Sequence, residues 1–220
     1  MMPDDVNLDH ERMARIGMGE AVIAEPKSIR QLTTILEHAI AADQPMLLTR
    51  LMPDQLTGLA PELQGHLDYD PVSRTAFLGP APEPTGPSRV AVVSAGTSDQ
   101  PVAAEAVRTL AFSGHDAVAI ADVGVAGLWR ILERIDALTV LDVVIVAAGM
   151  DGALPTVIAG LVPGLVIAVP TSVGYGVASH GRAALAANLA SCSPGLVVVN
   201  IDNGYGAAAA ALRVLGSPPD

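Results

Sequence analysis

From Arg89 onward the chain alternates short, continuously apolar runs with stretches whose apolar residues recur every three or four positions. The runs are Arg89–Ser94 (RVAVVS), Asp116–Asp122 (DAVAIAD), Asp142–Ala147 (DVVIVA), Leu165–Val169 (LVIAV) and Leu196–Asn200 (LVVVN). Helical spacing follows over Gln100–Ser113, where Val102, Ala106 and Leu110 fall in register, and over Gly127–Arg134, Leu154–Gly160, the Ala-rich Arg182–Ser191 and Ala207–Val214. Strands with no polar alternation are strands covered on both faces. Five strand–helix repeats of this kind predict an α/β fold, a three-layer parallel sheet of flavodoxin-like type with right-handed crossovers. Ligands of such sheets bind beyond the carboxyl ends of the strands.

The first eighty residues read differently. An amphipathic helix is predicted over Ser28–Ala42, a short strand over Met46–Thr49 and a helix from Pro53. This implies a smaller N-terminal α+β unit, residues 1–80. The Pro/Gly-rich stretch Gly79–Ser88 (GPAPEPTGPS) marks a linker at 81–88, and residues 89–220 form the larger domain.

Charge changes the picture in two ways. With 12 basic and 23 acidic residues the net charge is −11, so a nucleic-acid or anionic-membrane partner, which needs a basic face, is excluded. Between Val143 and Leu212 only Asp151, Arg182 and Asp202 carry formal charge. Its wholly uncharged part, Gly152–Ser179, is apolar enough to suggest a membrane span, but Pro155, Pro163 and Pro170 and Gly152, Gly160, Gly164, Gly174 and Gly176 interrupt it before it reaches about 20 apolar residues. The N-terminal MMPDDVNLDHERMARIG has no apolar signal core. A tail buried against the sheet or against another subunit explains the pattern, and a homo-oligomer is expected. One cysteine, Cys192, excludes an intramolecular disulfide and fits a cytoplasmic protein. No His/Cys/Asp grouping has zinc spacing, so no structural metal is expected.

Candidate chemistry sits where strands end. Ser94-Ala95-Gly96-Thr97-Ser98-Asp99 joins small residues to a helix start, suiting either a phosphate or a simple N-cap. It is not GxGxxG, and GxxxxGK[ST] is absent, which disfavours a nicotinamide-dependent dehydrogenase and a P-loop NTPase. Gly149-Met150-Asp151-Gly152 places a carboxylate in apolar surroundings, where it is a helix cap or a functional group. Pro170-Thr171-Ser172-Val173-Gly174-Tyr175-Gly176 combines hydroxyls, glycines and a ring that can stack on a heterocycle. Asp202 and Asn203 open the last helix, with an Asx turn as their simplest role. Cys192 lies among Ser191, Ser193, Pro194 and Gly195 rather than in a Leu/Val run, which points to a reactive thiol more than to packing. His10, His38 and His66 read as surface residues, His115 as part of the turn before the second strand, and His180 as a catalytic or phosphate-binding candidate.

In order, SAGTSD, DVGVAG (Asp122–Gly127), AGMDGALP, VPTSVGYG, SCSPG and VNIDNGYGAA resemble the LarB family, the pyridinium-3,5-biscarboxylic acid mononucleotide synthases of nickel-pincer nucleotide biosynthesis. Their C-terminal domain is related to the aminoimidazole ribonucleotide carboxylases and mutases of purine synthesis. The likeness runs from Arg89 to about Leu215 and extends more loosely through LDHERMARIGMGEAV and LLTR. It implies carboxylation of the pyridinium ring of nicotinic acid adenine dinucleotide by CO2, hydrolysis of its phosphoanhydride to release AMP, and a homo-oligomer, an octamer as in the related carboxylases. No tightly bound cofactor is implied, although Mg²⁺ suits phosphoanhydride cleavage.

A pyridinium C5 does not attack CO2. Addition of the Cys192 thiolate at C4 would make a dihydropyridine in which C5 is the β-carbon of an enamine and is nucleophilic. Asp99, Asp151 and His180 are the candidate bases. Gly96, Gly174 and Gly176 are expected to hold phosphates together with Ser94, Thr97, Ser98, Asp122, Gly149, Met150, Gly152, Pro170, Thr171, Ser172 and Tyr175, and Asp202 and Asn203 to hold a ribose or polarise water. Two positions depart from the family pattern: Trp129 stands in VAGLWR where histidine is expected, and Asp151 where glutamate is expected. Trp129 can stack on a ring but cannot move a proton. The alternatives are a purine-type ribonucleotide carboxylase or mutase, which needs no thiol, and a non-catalytic nucleotide-binding module.

Overall fold

The computed structural model describes residues 6–9, 11–84 and 86–216. The first five residues and His10, read above as polar surface, lie outside that set, as do Thr85 in the linker and residues 217–220. Packing divides the chain into two compact units, Met1–Glu83 and Pro84–Asp220.

In the first unit, α1 (Arg12–Ile16) precedes β1 (Ala21–Ile23), and α2 (Ile29–Ala41) joins β1 to β2 (Met46–Thr49). Two short helices, α3 (Pro53–Gly58) and α4 (Pro61–Gln64), lead to the hairpin β3 (Leu67–Asp70) and β4 (Thr75–Leu78). The order is β1-β2-β4-β3, with β1 parallel to β2 and the other pairs antiparallel. A capping box fixes the start of α2: Ser28 Oγ accepts from Gln31 N, and the Gln31 side chain accepts from Ser28 N. Leu32, Ile35, Leu36 and Ala39 then recur at helical spacing and pack on Val22, Met46, Leu48 and Leu78. The α+β character expected here holds, and the structure adds β1, β3 and β4.

The second unit is a five-stranded, wholly parallel sheet of order β6-β5-β7-β8-β9. Its strands are β5 (Val90–Ser94), β6 (Ala117–Ile120), β7 (Val143–Ala148), β8 (Leu165–Pro170) and β9 (Leu196–Val198). Its helices are α5 (Gln100–Phe112), α6 (Leu128–Leu132), α7 (Ile135–Leu138), α8 (Ala153–Ala159), α9 (Arg182–Leu189) and α10 (Gly204–Leu215). This is the doubly wound, flavodoxin-like order, with the reversal of winding between β5 and β7. Pairing is in register along the centre, Val90 with Val143 and Ser94 with Ala147, then Val143 with Leu165 and Ala148 with Pro170.

Every residue of β5 and β7 is buried, as their unbroken apolar runs require. One face carries Ala91, Val93, Val144, Val146 and Val166 against Ile131, Leu138, Leu154 and Ile158. On the other, α5 packs against α10, whose Ala207, Ala208 and Ala211 are fully buried. Small side chains there compensate for the scarcity of aromatic residues by allowing close helix approach. Fully burying one Val, Leu or Ile side chain is worth about 1.5–3 kcal/mol, so the central strands dominate the stability of this unit. The helix expected over Gly127–Arg134 ends at Leu132 and gives way to α7 at Ile135.

Candidate active site

Five connections leave the carboxyl ends of the parallel strands, and four of them are tied together. After β5, residues Thr97–Asp99 make one tight turn before α5. Asp99 is buried, 4% exposed, and both its oxygens are used. Oδ2 accepts from the Gly96 N–H at 2.8 Å and Oδ1 accepts from Thr171 Oγ1 at 2.5 Å. Because β7 lies between β5 and β8, this second bond spans the central strand, above the buried Gly149. The Met150 N–H donates to Val173 O at 2.8 Å, linking the β7 and β8 connections. Asp202 Oδ1 accepts from the Ser172 N–H at 2.8 Å, and the Asp202 N–H donates to Pro170 O at 2.9 Å, fastening the β9 connection to the same loop. Charge-assisted bonds to backbone N–H groups are the stronger kind, and here they hold the loops in one fixed frame.

The residues around this frame divide by exposure. Thr97, Ser98, Ser172, Tyr175 and Gly176 are exposed, whereas Ser94 and Thr171 are buried. Ser94 Oγ has no hydrogen-bond partner among the described residues, so a buried hydroxyl at the end of β5 is left unsatisfied. Gly174 and Gly176 have positive φ, as the expected tight loop after β8 requires. Asp122, Met150, His180 and Asp202 are non-glycine residues at φ 54–62°, one in each connection after β6, β7, β8 and β9. Such backbone costs of order 1 kcal/mol or more per residue and concentrates at functional sites.

On the β6 side, Arg130 Nη1 lies 3.5 Å from Asp122 Oδ2 and donates to the Asp122 carbonyl at 3.4 Å. Its guanidinium stands 5.7 Å from the centre of the Trp129 ring, a cation–π distance. Trp129 itself is 60% exposed.

At the start of α10 the protein supplies its own acceptors. Asn203 Oδ1 caps the helix by accepting from Gly206 N at 2.8 Å, and the buried Glu105 accepts from Tyr205 N at 3.1 Å. Asn203 therefore serves as the Asx cap foreseen as its simplest role, and the cap starts the helix at Gly204 rather than Ala207.

Asp151 precedes α8, and Cys192 lies in the loop between α9 and β9. Gly152 is the N-cap of α8 at φ 62°, and a Cβ there would fall 2.6 Å from Asn188 Nδ2 and 2.9 Å from Ala184 Cα. Only glycine permits that approach of α9. One helical turn further on, Thr156 Oγ1 donates to Ser191 Oγ at 2.9 Å, and Ser193 Oγ donates to Thr156 O at 3.0 Å. The two serines flanking Cys192 are thus pinned to the first turn of α8, whose preceding residue pair is Asp151–Gly152. Both Asp151 and Cys192 are exposed. The α8 N-cap has no side-chain hydrogen bond, so Asp151 is not the cap that its simplest reading foresaw.

The frame thus gathers Ser94, Gly96, Asp99, Gly149, Met150, Pro170, Thr171, Ser172 and Asp202, while Asp151 precedes α8 and Cys192 lies in the loop from α9 to the amino end of β9. Three residues outside the sequence-based set belong here as well. Arg130 lies in α6 after β6 and Arg182 at the start of α9 after β8, and Glu105 anchors α10. Arg182 had a visible signal, a single base in a charge-poor stretch; Glu105 had none, because only the α5–α10 packing brings it to Tyr205. Among the described residues no group of three His, Cys, Asp or Glu side chains is placed to hold a metal ion. No described helix is long and apolar enough to cross a membrane.

A parallel sheet of this winding, with its loops tied across the reversal point, is a doubly wound α/β fold with its ligand site at the carboxyl edge. Residues 89–219 match the AIR carboxylase family. Residues 4–80 match the LarB/PurE-like N-terminal domain, and with both matches in this order the chain belongs to the LarB family. It is also 36% identical over 211 residues to the uncharacterized protein MJ0165 of Methanocaldococcus jannaschii, covering 92% of this chain and 80% of that protein.

Proposed function

We propose that this protein carboxylates the pyridinium ring of nicotinic acid adenine dinucleotide with CO2 and hydrolyses the phosphoanhydride, yielding pyridinium-3,5-biscarboxylic acid mononucleotide and AMP, a step of nickel-pincer nucleotide biosynthesis. The observation that supports this reading most directly is an exposed free thiol, Cys192, held between Ser191 and Ser193, both of which bond to Thr156 of α8. A ribonucleotide carboxylase or mutase of the purine type has no use for the thiol.

In the proposed sequence the Cys192 thiol loses its proton and the thiolate bonds to ring C4. The electron pair moves to the ring nitrogen and neutralises the pyridinium. C5, now the β-carbon of an enamine, attacks CO2, forming the new C–C bond and an iminium. A base takes the C5 proton, which restores the enamine, and the nitrogen lone pair then expels the thiolate from C4 to regenerate the aromatic ring. Asp151 suits the base: its carboxylate is exposed and has no hydrogen-bond partner among the described residues. His180, exposed on the connection after β8, is the second candidate. Asp99 is committed to Gly96 and Thr171, and its role is to position the loops. Water attacks phosphorus in the second reaction, the P–O–P bond breaks, and AMP leaves. The backbone of Gly96, Gly174 and Gly176 holds phosphate oxygens, and Tyr175 and Trp129 offer rings for stacking.

The working form is proposed to be a homo-oligomer, an octamer as in the related carboxylases. Val177, Val140, Tyr175, Leu189 and Trp129 are each at least 60% exposed in the single chain, more large apolar surface than an isolated enzyme of this size exposes without use. The test of the reaction is mass spectrometry of products formed from nicotinic acid adenine dinucleotide and bicarbonate. AMP and a pyridine mononucleotide bearing one added carboxylate are expected from the native enzyme. Cys192→Ser is expected to form no carboxylated product.

A further inference from the structure

We propose that Glu105 is a positioning residue: from inside the protein it sets the spacing between the two acidic grips, Asp99 and Asp202, that hold Thr171 and Ser172 at the carboxyl edge. The inference rests on the reading of that edge as the ligand site and adds to it the residue that fixes the loop after β8. Glu105 lies on α5, six residues after Asp99, and is buried at 3% exposure. Its Oε2 accepts from the Tyr205 N–H at 3.1 Å, across 100 positions of sequence. Tyr205 is the second residue of α10, and Asp202 stands three positions before it. The carboxylate that accepts from Thr171 Oγ1 therefore opens α5, and the one that accepts from the Ser172 N–H precedes α10. Glu105 joins these two helix starts.

A buried carboxylate is costly unless it is used, and a helix start ordinarily finds its acceptors close by in sequence. In α10 the local supply runs out. Asn203 serves Gly206 through its side chain and Ala207 through its carbonyl, which leaves the Tyr205 N–H. An acidic residue in the first turn would also suit the positive end of the helix, but that turn holds none. Close packing excludes a side chain at the first position: a Cβ on Gly204 would fall 2.2 Å from Val102 O and 2.9 Å from Glu105 Oε2. The acceptor comes instead from α5, and a fixed spacing comes with it. Asp202, held at φ 55°, is aimed at Ser172 by the helix start that follows it. A local cap would serve α10 equally well. A buried one on the helix that begins at Asp99 makes the two grips on the β8 connection a single unit.

The experiment compares native protein with Glu105→Ala, Glu105→Asp and Glu105→Gln, and with Leu138→Ala, a truncation in the core on the other face of the sheet. Hydrogen exchange is read at the Ser172 amide, binding by calorimetry with nicotinic acid adenine dinucleotide, turnover by steady-state kinetics, and Tm for each protein. Losing one buried hydrogen bond shifts an equilibrium about tenfold. Glu105→Ala should therefore speed exchange at Ser172 about tenfold and raise Kd and KM by a similar factor, with kcat little changed. Glu105→Asp, one methylene short of Tyr205, should show the same changes and carries the test where the alanine variant does not fold. Glu105→Gln keeps an acceptor oxygen in place and should restore most of both. Leu138→Ala should lower Tm without moving either quantity. Faster exchange at Ser172 in the Glu105 variants of a protein whose native form binds no dinucleotide would sink the proposed reaction and leave the positioning role standing. Native exchange and native affinity in both Glu105→Ala and Glu105→Asp would overturn that role. Equal changes in Leu138→Ala would overturn it too, because they mark general loosening of the fold.

Discussion

Asp99 shows why a residue type alone does not assign a role. From its position before a helix it is equally a cap, a base or a phosphate neighbour. Burial and two occupied oxygens make it the clasp between the β5 and β8 connections. Asp99→Ala would leave the Thr171 hydroxyl and the Gly96 N–H without their acceptor in buried surroundings, at about 1–3 kcal/mol each. Urea unfolding should register a loss of about 2 kcal/mol or more, and an unchanged midpoint would show that the clasp does not matter. Cys192 needed no structure to be noticed, because it is single. Its place in the fold did need one, since only the structure shows Ser191 and Ser193, on either side of it, bonded to Thr156 of α8. His115 makes a separate prediction. Burial, and secondarily Arg89, depress its pKa below the ordinary 6.5. The unfolded chain then binds more protons than the folded one as pH falls through 6.5, so the folded state loses stability from there downward. In His115→Gln the fall of Tm between pH 7 and pH 5 should be shallower than in the native protein; an identical slope would contradict this.

At the scale of elements, the C-terminal unit was readable because parallel central strands declare themselves as unbroken apolar runs. β5 and β7 match their runs to within a residue or so. The edge strands match less well, β6 reaching only Ala117–Ile120 and β9 Leu196–Val198, because an edge strand has one partner and frays where pairing stops. The N-terminal unit hid three strands. β1 has only three residues, too few for any period to show, and β3 (LDYD) is polar on one side of a hairpin, which resembles a loop. The carboxyl-edge loops could be read as a set, but the bonds that knot them join residues 23 to 72 positions apart, which no local pattern encodes. Gly152 tests the α8–α9 seam. Alanine there meets Asn188 and Ala184 and must adopt φ 62°, so Gly152→Ala should destabilise by about 1–3 kcal/mol and disturb the Ser191–Ser193 attachment. Retention of native stability and native thiol reactivity at Cys192 would refute the seam's role.

For the molecule as a whole, charge and function occupy different regions. The acidic balance describes the outer surface, while the segment from Val143 to Leu212 is almost free of charge and carries three of the five loops. Its exposed apolar residues predict association of copies, and light scattering should return a multiple of the 22.4 kDa chain mass; a monomer would contradict the proposed assembly. The departures at Trp129 and Asp151 bear on the same scale. With no histidine at position 129, proton transfer at this edge falls to Asp151 or His180, and a shorter carboxylate must reach the ring from a start of α8 that Gly152 holds close to α9.

The measurement that bears most directly on the central claim is product analysis from nicotinic acid adenine dinucleotide and ¹³C-labelled bicarbonate, run with native protein and with Cys192→Ser. The proposed chemistry predicts AMP and a pyridine mononucleotide carrying one labelled carboxylate from the native protein, and no carboxylated product from the variant. Labelled product formed equally well without the thiol, or no carboxylation by the native enzyme, would contradict it.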